Sequence, residues 1–72
     1  MDIKDLALMV SEVAADLALD QIAFGDLAMA QENLKLIQAC NTVAKVTEAD
    51  YAKHAESIGK VYNIAVIWKI VK

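Results

Sequence analysis

An all-α fold is expected: a short three-helix bundle, or a helical hairpin carrying a third helix, that associates into an oligomer. Three observations predict it. Apolar residues recur at three- and four-residue spacings along most of the chain, the pattern of amphipathic helices. Proline is absent and glycine occurs twice, so breaks are few and the connections are short, which makes successive helices antiparallel neighbours. Finally, 58% of the 72 residues are apolar. A chain this short buries only about 60% of the surface its unfolded form exposes, so one small core cannot absorb that excess. Some of it should meet other protein surface.

The first helix is expected over residues 3–23. Ile3, Leu6, Val10, Val13 and Leu17 form one apolar stripe, with Asp5, Glu12 and Asp16 solvated beside it. Leu8, Ala15, Leu19 and Ile22 form a second apolar stripe roughly opposite. A surface helix of a monomer should have one apolar face, so two faces imply a helix sandwiched by its own bundle or by a partner. Phe24-Gly25-Asp26 reads as the break. Glycine accepts the left-handed conformation that closes a helix, and Asp26 is a good N-cap for the next one. A continuous helix through Gly25 is the alternative, at about 1 kcal/mol relative to alanine.

The second helix is expected over residues 27–45, with Leu27, Ala30, Leu34, Ile37, Asn41 and Ala44 as its core stripe. Met29, Leu36, Cys40 and Val43 widen that stripe to about half the circumference, which suits a helix touching two neighbours. Gln31, Lys35, Gln38 and Thr42 mark the wet side. The third helix is expected over residues 48–68. Thr47-Glu48-Ala49-Asp50 is close to a capping box, with Asp in place of Glu at the fourth position. Tyr51, His54, Ala55, Ile58, Val61, Tyr62, Ala65 and Trp68 share its core face, with Tyr51 and Tyr62 expected inside. The end, Val61 to Val71, is rich in β-branched and aromatic residues, which favour a strand. As a helix it is apolar all round beyond Asn63, and Lys69 falls on the core face. With no second strand to pair with, helix is preferred; a strand could pair only across a dimer or with a partner's sheet edge.

The composition excludes several classes. Cys40 is the sole cysteine, so no internal disulfide can form, and a reducing compartment is expected. Met1-Asp2-Ile3-Lys4-Asp5 lacks the basic start of a signal peptide. The longest uncharged runs, Leu36 to Ala44 and Val61 to Trp68, fall far short of the roughly 20 residues that span a bilayer. A soluble cytoplasmic protein is expected. The net charge is −3, but unevenly spread. Residues 1–34 hold seven acids and one lysine, whereas residues 35–72 hold six lysines and three acids. The two halves should attract within one molecule, by antiparallel docking of the last helix on the first, or between two molecules. Arginine, the preferred residue for bidentate phosphate and base contacts, is absent, which argues against nucleic acid.

Chemistry-bearing residues are sparse. Asp50 and His54 stand four apart and could share a proton or a metal, but zinc needs three or four protein ligands and no second histidine exists. A helix-surface pair is the plainer reading. Cys40 lies at the edge of an apolar face with no activating neighbour evident, so it reads as a small buried hydrophobe. Neither a phosphate loop nor a serine nucleophile motif occurs. No catalytic, cofactor or metal residue is therefore assigned, and no small-molecule substrate, membrane or nucleic acid is expected.

The functional expectation is a non-enzymatic regulator or inhibitor that occupies a partner protein's surface through an apolar helix face. Leu8, Leu19, Ile22, Ile64, Ile67 and Trp68 are the interface candidates, and a homodimer is expected. Phage-encoded inhibitors of host machinery and bacterial anti-activators are small acidic helical proteins of this type, although no motif identifies a family. The alternative is a structural subunit or co-chaperone of the secretion-chaperone type, an obligate part of a helical complex. An enzyme would need Asp50, His54 and a further group supplied across a dimer interface.

Overall fold

The computed structural model describes residues 2–70, and among these it contains three α-helices and no strand: α1 (Ile3–Ala23), α2 (Leu27–Ala44) and α3 (Ala55–Ile67). The first two helices form an antiparallel hairpin. α3 turns back alongside α2, its end reaching Met29 in the first turn of α2, and packs on both members of the hairpin. The Cα trace measures 41 × 24 × 14 Å, the thickness of two packed helix layers, with α3 laid on the hairpin.

The helix ends follow from local chemistry. Asp2 caps α1, its carboxylate accepting from the Lys4 N–H, and Asp26 caps α2 by accepting from the Met29 N–H, both at 3.3 Å. The chain does break at Gly25. The Asp26 N–H donates to the Gln21 carbonyl at 2.8 Å and the Gly25 N–H to the Ile22 carbonyl at 3.1 Å, with Gly25 at φ +81°. This is a Schellman closure, in which the residue after the cap must be left-handed. The same closure ends α3. The Ile70 N–H donates to the Ala65 carbonyl at 2.9 Å and the Lys69 N–H to the Val66 carbonyl at 3.1 Å, and Lys69 takes the left-handed position at φ 61°. The strand alternative for the end of the chain is thus excluded through Ile70; Val71 lies outside the described residues. Because the helix stops at Ile67, Lys69 leaves the core face and is exposed.

The third helix starts later than its capping pattern implies. Glu48–Asp50 form a single 3₁₀ turn, residues 51–54 continue as turns, and α3 begins at Ala55. The Thr47 hydroxyl donates to the Asp50 carboxylate at 3.0 Å and accepts no backbone N–H. The Asp50 N–H instead closes on the Thr47 carbonyl at 2.9 Å, the i→i+3 bond of a 3₁₀ turn. Residues 46–54 turn the corner that lays α3 on the hairpin, with Val46 buried at its start.

The core is built from a rotated version of the expected faces. On α1 the buried residues are Leu6, Ala7, Val10, Ala14 and Ala18, and on α2 they are Ala30, Asn33, Leu36, Cys40 and Val43. Val13 and Leu17, assigned to the first stripe, are partly exposed; Leu27, Leu34 and Asn41, assigned to the second, are exposed. Ala7, Ala14 and Ala18 of α1 and Ala30 of α2 are all buried, and short side chains in a helix–helix seam let the two backbones approach closely. Larger neighbours are displaced to the flanks of such a seam. α3 contributes Val61 and Ala65 to the core, with Ile58, Ile64, Trp68 and Ile70 packed against it. Tyr62, expected inside, is 49% exposed, and Tyr51 is half-buried.

Candidate functional site

No chemical centre assembles from the sequence candidates. The Asp50 carboxylate is engaged by the Thr47 hydroxyl. His54 meets Asp50 through the backbone, its N–H donating to the carbonyls of Asp50 and Tyr51, each at 3.2 Å. Among the described residues, no group of three or more His, Cys, Asp or Glu side chains is placed to hold a metal ion. Cys40 is buried within the core cluster, and that desolvation pushes its thiol above the ordinary range. A thiol so placed is a poor nucleophile. No helix is long and apolar enough among the described residues to cross a membrane.

Two surface features remain. The first is the outer face of α1. Leu8 and Leu19 are 58% and 67% exposed, and Ile22 is half exposed. They share a face because helical residues three, four, seven and eleven apart superpose. From Leu8 to Ile22 the face runs about 21 Å at 1.5 Å per residue. Asp5, Glu12 and Asp16, all exposed, run along one border of it. The alanine seam sets this arrangement, because burying Ala7, Ala14 and Ala18 turns the bulkier stripe outward.

The second feature is a groove of about 260 Å³ between α2 and the C-terminal half of α3. Leu36 and the buried Asn33 belong to α2, while Ile64 and Trp68 stand on α3. Asn33 is held there by its amide, which donates to the Gln21 side-chain carbonyl of α1 at 2.8 Å. Met29, Glu32 and Lys60 complete the lining. Glu32 is paired with Lys35 at 3.4 Å, the one salt bridge among the described residues.

The six interface candidates therefore do not form one surface. Leu8, Leu19 and Ile22 lie together on α1. Ile64 and Trp68 are half-buried against the core and line the groove, and Ile67 is 68% exposed on α3. Two further residues carry the surface and the seam without a signal in the sequence pattern. Phe24, in the break between α1 and α2, is at 88% the most exposed large apolar side chain among the described residues. Nothing in the pattern marks Asn33 except a polar residue inside an apolar arc. No protein-family model matches this chain, and neither a curated protein nor a solved structure matches it.

Proposed function

We propose that this chain is a small non-enzymatic regulator or inhibitor that acts by occupying the surface of a partner protein. The supporting observation is the outer face of α1: Leu8, Leu19 and Ile22 are exposed in line with acids along one border. An apolar helix face of this kind fits an apolar groove. The acidic border would steer it toward a groove with a basic rim and penalise partners with an acidic one. Mechanism then reduces to steric occupancy, with no bond made or broken.

The test compares the wild-type chain with Leu8→Glu and Leu19→Glu as immobilised baits in extract, with Val66→Glu on α3 as a control. A defined protein retained by the wild type and the control, and lost from both α1 variants, supports the reading. Equal retention by all four chains, or none by any, rejects it.

A second reading, an obligate subunit or co-chaperone, is favoured by the thinness of the core. The chain exposes 4983 Å², against about 4,400 Å² for a typical monomer of its mass. Under this reading the isolated chain lacks cooperative thermal unfolding and gains it with its partner, whereas a free-standing regulator unfolds cooperatively alone.

A further inference from the structure

We infer that two copies of this chain form a symmetric dimer in which Phe24 of each fills the α2–α3 groove of the other. The chain carries both a knob and a socket. Phe24 is 88% exposed, and its backbone is held between α1 and the Gly25 closure by the hydrogen bonds from Phe24 N–H to Asp20 and from Gly25 N–H to Ile22. The backbone that carries this ring is already ordered, so docking costs the freedom of one side chain and not of a loop. The groove holds about 260 Å³ between Leu36, Ile64 and Trp68. That is below the roughly 300–1,000 Å³ of sites for drug-sized ligands and suits a single aromatic ring beside an indole.

Charge selects the second copy as the occupant. Phe24 stands between Asp20 and Asp26, and from Asp5 to Leu34 the chain carries no basic residue. Asp20 sits in the last turn of α1, where the helix dipole disfavours an acid, so a cation supplied from outside would relieve it. The groove carries Lys60, with Lys69 exposed just beyond Trp68. The groove's own acid, Glu32, is taken by Lys35. An acidic knob thus faces a basic socket.

Placement allows the exchange to be mutual. Phe24 lies at the hairpin tip, and the groove opens beside it, between the start of α2 at Met29 and the end of α3 at Trp68. A two-fold axis beside this end brings each Phe24 to the other copy's groove, a closed isologous contact. The Leu8–Leu19 face lies about 140° around α1 from Phe24 at 100° per residue, so the dimer leaves two such faces open. The inference is independent of the regulator reading, and its test uses no partner protein.

Sedimentation velocity of the full chain, from low micromolar to millimolar, reads the oligomer, while emission from Trp68, the single tryptophan, reads the groove. The wild type is expected to pass from monomer to dimer with a shift in Trp68 emission over the same range. Phe24→Ala should raise the dimer dissociation constant roughly thirtyfold, the loss of a buried aromatic anchor, and Val66→Ala should leave it unchanged. Lys60→Glu should weaken the dimer roughly fivefold or more, as expected for a rim charge facing acids. A monomer at every concentration overturns the proposal. So does a dimer that Phe24→Ala leaves as tight as the wild type, or one that forms with no change at Trp68.

Discussion

The Asn33 amide donates to the Gln21 side-chain carbonyl at 2.8 Å, joining the middle of α2 to the last turns of α1. Asn33 is 7% exposed and is the sole buried polar residue in the described part of the chain. A polar contact at an otherwise apolar seam can fix the register of two helices, since sliding strands its buried groups. Asn33→Ala and Gln21→Ala should each cost about 1–3 kcal/mol, because each leaves a partly buried polar partner unpaired. The double variant should cost less than the two single costs together, with a coupling of about 1 kcal/mol. Urea unfolding of the four proteins closes the cycle.

The two Schellman closures make opposite predictions from one geometry. Gly25 and Lys69 both occupy the left-handed position. A side chain there costs about 1 kcal/mol or more, so Gly25→Ala should destabilise by about that amount, and Lys69→Gly should stabilise by somewhat less. A Cβ at Gly25 would meet nothing within 4 Å, which leaves the backbone as the cause. Gly59, inside α3 and equally open, has no such demand, and Gly59→Ala should stabilise by up to about 1 kcal/mol. Thermal melts of the three variants decide the signs.

Cys40 supplies a pH dependence. Burial raises its thiol, so the native state keeps this proton to higher pH than the unfolded chain does. The corresponding stability is complete below the ordinary thiol value of about 8.5 and is lost as the pH rises through the raised native value. The wild type should therefore lose stability faster than Cys40→Ala between those two values, although Cys40→Ala is less stable near neutrality because it leaves a small cavity. Denaturant midpoints across the alkaline range measure the difference. Alkylation of Cys40 in the native protein should be slow until the chain is unfolded.

Apolar residues of similar size should respond oppositely to substitution. Leu36→Ala, in the core beside Cys40, should cost about 2–5 kcal/mol, enough to unfold much of a domain this small. Leu19→Glu, on the outer face of α1, should change stability by less than about 0.5 kcal/mol. Circular dichroism of the two variants separates them. If Leu19→Glu unfolds the chain, the outer face of α1 is structural and the binding proposal loses its basis.

The helical class, the break at Gly25, the Asp26 cap and the extents of the first two helices were legible in the residues, because periodicity, glycine and capping carboxylates act within a few residues of themselves. So was the second apolar stripe of α1, since its spacing does not depend on what it touches. What tertiary structure alone decided was which face each helix buried. The sequence pattern favoured Leu27 and Leu34 over Leu36 and Cys40 on α2, and Val13 and Leu17 over Ala14 and Ala18 on α1. Hydropathy ranks side chains by transfer energy, whereas a helix seam also rewards small size, and four alanines let two backbones approach where larger residues would hold them apart. The late start of α3 has a similar origin. Thr47 and Asp50 satisfy each other locally, and the direction of the chain is set by where Val61 and Ala65 can meet a core that only the folded hairpin provides.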